Sequence, residues 1–257
     1  MGAKNGQGFF QSSNEDFYEG NFEMDIMNGF GKMVEADGCY EGEFFEGLKS
    51  GKGRYEYSNT NIYDGYWKNG LRHGSGCFEF TNGYKYCGDW VDGIPNGKGQ
   101  ENYTDGSKFE GNFVHGVKNG QGKMVFNNGN NIYDGEWLDD KMHGHGKFVS
   151  RILDLQNSHD KFDSFCSDAY FNSDENSNDE GDYVYNGQWK NGLKDGFGVE
   201  TYSTGNTFEG RWHQGTKSGH GKYIFCNGNI FEGEWTDNIF NGTGRFIKKD
   251  GTIEESN

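Results

Sequence analysis

The sequence is poor in proline, in basic residues and in long apolar runs. Pro95 is the only proline, and no stretch approaches the length of a membrane span. Only 24 Lys and Arg stand against 40 Asp and Glu, so the formal net charge is −16. Nucleic acids and anionic lipids are bound by clustered basic side chains, so this balance argues against both as direct partners. The start MGAKNGQGFF lacks the basic-then-apolar pattern of a signal peptide.

Cysteine is also scarce. The five cysteines are odd in number and include no C-x-x-C pair, which is typical of reduced thiols. Together with the missing signal peptide, this predicts a cytoplasmic protein, with the cytoskeleton or the cytoplasmic face of a membrane as possible sites.

Glycine and aromatic residues are abundant instead. The chain holds 44 Gly, 22 Phe, 15 Tyr and 6 Trp, whereas disordered chains are poor in aromatics. An aromatic residue followed by Gly two positions later recurs every 22 to 24 residues, with one step of 52. A fixed period in this range predicts a repeat architecture. The recurring aromatic starts nine units, at Tyr18, Tyr40, Tyr63, Tyr86, Phe109, Tyr133, Tyr185, Phe208 and Phe231.

Each unit alternates as β-strands do. Tyr63, Gly65 and Trp67 share one face of a strand, and after a turn Gly74 and Gly76 are expected to share a face again. Each unit is therefore two short strands, and successive hairpins form one meander. The predicted fold is all-β: an elongated single-layer antiparallel β-meander solenoid of hairpin repeats about 23 residues long, with about nineteen strands.

Two residue sets follow from this pattern. Glycines within strands, such as Gly76, are expected to clear space for a neighbouring ring, and those in turns permit positive φ. The predicted structural glycines are Gly65, Gly74, Gly76, Gly88, Gly97, Gly99, Gly135, Gly144, Gly146, Gly219 and Gly221. The "aromatic ladder", a candidate surface for partner binding, comprises Tyr63, Trp67, Tyr86, Trp90, Phe109, Phe113, Tyr133, Trp137, Tyr185, Trp189, Phe208, Trp212, Phe231 and Trp235.

The unit resembles a known repeat. The pattern Y-x-G-x-[WF]-x-x-G-x-x-x-G-x-G-x-x-x-[YF]-x-x-G is that of the MORN (membrane occupation and recognition nexus) family, and Tyr63 to Gly83 matches it throughout. The resemblance runs from Lys4 to about Ile253, apart from one insertion. Asp25, Asp140 and Asn238 replace the glycine in the middle of a turn, so looser turns are expected there. The family resemblance implies a scaffold for cytoskeletal or membrane-associated assemblies, often a homo-oligomer, with a groove for helical or extended partners.

The long step divides the array. We predict repeats over residues 1–149, a flexible acidic insertion over 150–182, and further repeats over 183–257. Residues 168–182 contain six acidic residues and no Lys or Arg, which is typical of disorder. Ser177, with Glu180 three residues on, is a possible phosphorylation site for an acidic-directed kinase.

Catalytic, cofactor and metal motifs are absent from the sequence. GIPNGKG, from Gly93 to Gly99, has three residues where a Walker loop needs four, and a glycine in place of its Ser or Thr. His73, His143 and His220 occupy related turn positions without a Cys or carboxylate at zinc-like spacing. We therefore predict no enzyme, no cofactor and no metal site.

The prediction is a non-catalytic scaffold or adaptor that binds protein partners, either helical or extended, and that can form homo-oligomers. Two alternatives stay open. MORN arrays precede the catalytic domain of some phosphatidylinositol phosphate kinases and lysine methyltransferases, which would make this chain a regulatory subunit or fragment of such an enzyme. Direct phosphoinositide binding would need Lys and Arg clustered along one strip of the sheet.

The cysteines also test the strand register. If pairing follows the repeat, Gly76 lies opposite Gly88 and Cys77 opposite Cys87, with both thiols on the face away from the aromatics. In a reducing cytosol we expect two free thiols there, and no comparable partner for Cys39, Cys166 or Cys226.

Overall fold

A computed structural model describes residues 2–12, 16–126, 129–151 and 181–256. Most of the insertion, with Cys166 and Ser177, lies outside these ranges, so the proposed domain boundaries and the phosphorylation site stay predictions. The contacts divide the chain into two compact units, residues 1–119 and 120–257.

The described residues form twenty strands and no α-helix. The first ten strands lie in unit 1: β1 Gly6–Gln11, β2 Phe17–Glu23, β3 Ile26–Glu35, β4 Gly38–Phe45, β5 Leu48–Tyr57, β6 Ile62–Lys68, β7 Leu71–Glu79, β8 Lys85–Val91, β9 Ile94–Asn102 and β10 Lys108–Val114. The remaining strands are β11 Val117–Phe126, β12 Asn131–Leu138, β13 Lys141–Ser150, β14 Tyr183–Lys190, β15 Leu193–Tyr202, β16 Thr207–His213, β17 Thr216–Ile224, β18 Ile230–Thr236, β19 Ile239–Ile247 and β20 Ile253–Ser256. The predicted antiparallel meander of hairpin repeats is confirmed, and the short β20 adds one strand to the nineteen expected.

A tight turn closes the hairpin inside each repeat. Both central residues have positive φ, as at Asn69 (51°) and Gly70 (78°), which is the conformation of a type I′ turn. The three turns without glycine keep this conformation, because Asp25, Asp140 and Asn238 have φ of 68°, 63° and 69°. Asp and Asn tolerate left-handed backbone, so these turns share the conformation of the glycine turns, and the expectation of looser turns stays a prediction.

Register between repeats follows the prediction. Between β7 and β8, Gly76 pairs with Gly88 and Cys77 with Cys87, as expected.

Register within a repeat contains a bulge that the alternation did not reveal. Between β6 and β7, Gly65 pairs with Gly76 but Trp67 pairs with Arg72, so three residues lie opposite Tyr66 alone. Gly74 lies in this bulge with φ of 65°, and it does not share the strand alternation of Gly76. Glycine is favoured at this position because the bulge requires left-handed backbone.

Two cysteine predictions are wrong. Cys77 and Cys87 are joined by a disulfide between β7 and β8, with Cα atoms 4.1 Å apart. Cys226 is also disulfide-bonded, and Cys39 is a free thiol. Opposed cross-strand cysteines lie close enough to bond directly, so the pair is a covalent link rather than two thiols.

Rings and glycines pack together on one face of the sheet. Tyr63 is completely buried, and a Cβ added at Gly76 would lie 2.2 Å from its hydroxyl oxygen. The geometry at Gly65 is similar, with a distance of 2.6 Å to the same oxygen. The glycines therefore make room for the ring of their own repeat, which places the hydrophobic core along this face.

Candidate functional site

The aromatic ladder is the most regular feature of the sheet. Within each compact unit, first aromatics pack edge-to-face on the second aromatic of their own repeat and on that of the next: Tyr63 lies 5.1 Å from Trp67 and 5.4 Å from Trp90 between ring centroids. The same edge-to-face pattern joins Tyr185 to Trp189 and Trp212. Such pairs contribute about 0.5–1.5 kcal/mol each beyond the area they bury.

Hydrogen bonds fix the polar atoms of these rings. The Tyr63 hydroxyl donates to the backbone carbonyl of Tyr66 at 3.0 Å, and Trp90 Nε1 donates to the carbonyl of Gly76, in the preceding repeat, at 3.0 Å. Trp212 Nε1 is the exception, because it is buried without a partner. The indole bonds of the other five tryptophans tie their repeats to the repeat before.

All fourteen ladder side chains are buried, at 7% exposure or less. The structure therefore places them in the core as packing groups, with little surface of their own to offer. Direct contact between these side chains and a partner stays a prediction.

A cation lies between the rings in five repeats. In four of them it stands directly across the hairpin from the second aromatic, as Arg72 does from Trp67 and Lys194 from Trp189. Lys194 Nζ lies 4.4 Å from the ring centroid of Tyr183 and 4.5 Å from that of Trp212, within the range of a cation–π contact. This "cation slot" is occupied by Lys49, Arg72, Lys118, Lys194 and Lys217.

Carboxylates accompany three of these cations. Lys49 pairs with Glu35 at 2.9 Å, and Lys118 pairs with Glu101 at 3.0 Å. Lys194 pairs with Glu200, which is only 4% exposed. Burial lowers the pKa of the Lys194 ammonium below its ordinary value, and the attraction of Glu200 offsets part of that effect.

Glu101 shows how these carboxylates are satisfied. It accepts hydrogen bonds from the hydroxyls of Tyr84 and Tyr103. Burial, and then the hydrogen bond to Glu101, raise the pKa of the Tyr84 hydroxyl far above its ordinary value. Lys49, Lys118 and Lys194 are therefore engaged with carboxylates in packing pairs on this face.

The opposite face carries cross-strand charge pairs. Arg54 lies opposite Asp64, and Lys222 lies opposite Glu232. Cys77 and Cys87 occupy the equivalent rung between β7 and β8, where a disulfide replaces the charge pair. Because opposite charges alternate along this face, it presents no strip of unpaired Lys and Arg among the rungs described here.

Side chains on that face also cap the bulges. Glu43 accepts a hydrogen bond from the backbone N–H of Lys52 at 3.1 Å, and Glu136 accepts one from that of His145 at 2.9 Å. Tyr66 stands at the equivalent position of its repeat and is half exposed, beside a shallow depression around the disulfide. Within the described ranges, no three His, Cys, Asp or Glu side chains converge as a metal ion would require.

Sequence reasoning missed the cation slot. A Lys or Arg follows the turn glycine by two residues at Lys49, Arg72, Lys118, Lys194 and Lys217. The sequence shows that recurrence, but Met27, Pro95, Met142 and Phe240 occupy the same position in the other repeats. The sequence pattern also does not indicate that the basic side chain lies between aromatic rings. In the part of the chain that the structure describes, no helix is long and apolar enough to span a membrane.

Comparison with protein families identifies the repeat. The MORN repeat model matches nine segments, residues 18–39, 40–62, 63–83, 86–108, 109–131, 133–152, 185–207, 208–230 and 231–253. The chain belongs to the MORN repeat family, and the nine units read from the sequence are confirmed.

Comparison with individual proteins adds little. No curated protein matches the chain. Among solved structures, the SAS-4 (dCPAP) TCP domain of Drosophila melanogaster, in complex with a proline-rich motif of Ana2 (dSTIL), is 12% identical over 72% of this chain and 84% of that one, with a TM-score of 0.40. The wild-type TCP10 domain of Danio rerio CPAP is 10% identical over 97% of this chain and 99% of that one, with a TM-score of 0.27. At these TM-scores the likeness supports no functional argument.

Proposed function

We propose that this MORN repeat protein is a non-catalytic scaffold that binds protein partners along its sheet. The observation that carries the proposal is the repetition of the surface. The ring recurs in every repeat, the cation in five of them, and the caps and charge pairs in several, whereas an enzyme concentrates its reactive groups in one place. A repetitive surface suits a partner that runs along several repeats.

The ladder face is the proposed binding surface. Its rings are buried, so a partner would contact the partly exposed aromatics beside them, such as Phe80, which packs on Phe78 at 4.5 Å. The proposal includes a cytoplasmic location, which rests on the family resemblance. The cysteines no longer support it, because Cys77, Cys87 and Cys226 are disulfide-bonded instead of reduced.

Affinity purification of the full chain with quantitative mass spectrometry tests this proposal. We expect a reproducible set of proteins that Phe80→Ser depletes and that Gln100→Ser, on the opposite face, retains. Recovery of the same proteins with both variants would reject the ladder face, and recovery of none would reject the scaffold. A lipid kinase or methyltransferase among the partners would favour the alternative of a regulatory subunit. Sedimentation velocity separately tests self-association.

A further inference from the structure

The hairpin turns of unit 1 carry an exposed apolar row. The first residue after each turn is aliphatic in four successive repeats, and about half of each side chain is exposed: Ile26 49%, Leu48 49%, Leu71 48% and Ile94 46%. We call these four residues the turn row. Phe45, Val91 and Val114, which precede turns of the same series, are also exposed and widen it.

The row is ordered by contacts between turns. A Cβ added at Gly47 would lie 3.6 Å from Cγ2 of Ile26, and one at Gly116 would lie 3.5 Å from Cγ2 of Ile94, so these two side chains lie over the glycine of the next turn. At Gly70 and Gly93, no heavy atom lies within 4 Å of an added Cβ. The turns are also joined by backbone hydrogen bonds. The N–H of Gly70 donates to the carbonyl of Lys49 at 2.9 Å, and that of Gly93 donates to Arg72 at 2.8 Å.

These bonds restrict the kind of partner. The turn glycine amides are already paired, so a partner strand could not dock by hydrogen-bonding to them. Proline-rich segments bind aromatic-lined grooves, whereas this row is aliphatic. Recognition here must come from side chains, as it does when an amphipathic helix uses apolar anchors.

The spacing of the row fits a helix. Successive members are two strands apart, which is about 9.6 Å. Seven residues of an α-helix rise about 10.5 Å, so apolar positions that repeat every seven residues would meet successive turns. A helix that contacts all four members of the turn row would be about 20 residues long.

The charges beside the turn row indicate which side chains flank the apolar stripe of that helix. Glu23, Asp25, Glu46 and Asp92 are exposed at the same turns, against a single basic residue, Lys68. Opposite charge favours association, whereas a second copy of this chain would bring one acidic rim against another. We infer that the turn row of unit 1 docks an amphipathic α-helix of a partner protein, with its apolar stripe on the row and Lys and Arg beside that stripe. This inference rests on the proposed scaffold function.

Unit 2 offers a matched control. Leu193 occupies the same turn position and is 48% exposed, the same fraction as Leu71. Its counterparts in the neighbouring repeats are Lys141 and Thr216, so the row is interrupted there. A substitution at Leu193 therefore alters one exposed leucine without breaking a continuous row.

Fluorescence anisotropy with two labelled peptides tests the inference. One is a helical Leu/Lys peptide of about 21 residues with a heptad stripe of Leu, and the other has the same composition in scrambled order. We expect the full chain to bind the striped peptide at least about tenfold more tightly than the scrambled one. Leu71→Asp should abolish that preference, although it adds a negative charge that would strengthen purely electrostatic binding, and Leu193→Asp should retain it.

Each other result overturns the inference. Equal binding of the two peptides would show attraction by charge alone, and equal effects of the two substitutions would show that the row has no special role. A dimer that Leu71→Asp dissolves would identify a second copy as the occupant. If affinity purification recovers the same partners with Leu71→Asp while the peptide preference is absent, the scaffold stands and the turn row fails.

Discussion

At the scale of single residues, Tyr63 and Gly76 fit closely together. The Tyr63 hydroxyl oxygen lies where a side chain at residue 76 would begin. Gly76→Ala should therefore lower the free energy of unfolding by about 1–3 kcal/mol, the usual cost of overpacking a core. Urea denaturation of the full chain measures this value.

Gly70→Asn is the matched control. Gly70 has positive φ, no heavy atom lies within 4 Å of a Cβ added there, and Asn238 stands at the equivalent turn position. We expect a change below about 1 kcal/mol, since Asn tolerates left-handed backbone. Equal losses for the two variants would contradict the fit of ring to glycine.

The buried pair of Lys194 and Glu200 gives a second prediction at this scale. Lys194→Met should destabilise the protein by about 3 kcal/mol, because it leaves the Glu200 carboxylate buried without its cation. The slot itself accepts methionine, as Met142 shows. Adding Glu200→Gln to Lys194→Met should recover part of the loss in a double-mutant cycle, with the exposed Lys190→Met as control. Additive losses would show that the two side chains do not interact.

At the scale of the strands, the buried tyrosines predict an alkaline limit. Burial raises the pKa of the Tyr63, Tyr133 and Tyr185 hydroxyls above their ordinary value of 10.0. The fold thus favours the protonated form, so this contribution to stability is complete below pH 10 and is lost as the pH rises further. Ultraviolet titration should show fewer ionised tyrosines at about pH 11 in the native protein than in urea. Coincident titration curves would contradict the burial of the ladder.

The link between β7 and β8 gives a prediction about pairing. The disulfide closes a loop with a sequence separation of 10, so replacing Cys77 and Cys87 with serine should cost about 2–3 kcal/mol. Cys39→Ser, which removes a free thiol, serves as control. Peptide mass spectrometry after isolation with a thiol-blocking reagent checks the link itself. Alkylated Cys77 and Cys87 would show that the pair is reduced in the isolated protein.

At the scale of the whole molecule, charge predicts behaviour towards membranes. The net charge is −16, and cations such as Arg54 and Lys222 lie opposite carboxylates. The purified chain should therefore not float with vesicles that carry phosphoinositides at physiological salt. A domain that binds phosphoinositides serves as the positive control. Flotation that added salt abolishes would favour direct lipid binding over the scaffold.

The sequence by itself determined the repeat. Aromatic and glycine spacing predicted nine units, two strands in each, and the register between repeats, including Cys77 opposite Cys87. These features are local, because a short turn and the alternation of the strands that flank it fix the pairing of β7 with β8 without reference to distant residues. The turns at Asp25, Asp140 and Asn238 keep the same conformation without glycine, because Asp and Asn also reach positive φ.

Only the tertiary structure decided what each side chain contacts. The burial of the ladder and the cation between the rings depend on neighbouring repeats, as the bond from Trp90 to Gly76 shows. The alternation of a strand assigns a residue to a face, but the adjoining strands decide whether that face is covered. The turn row is likewise a product of the stacked repeats. Its leucines and isoleucines stand beside turns in the sequence, and stacking of the repeats brings them into one exposed line.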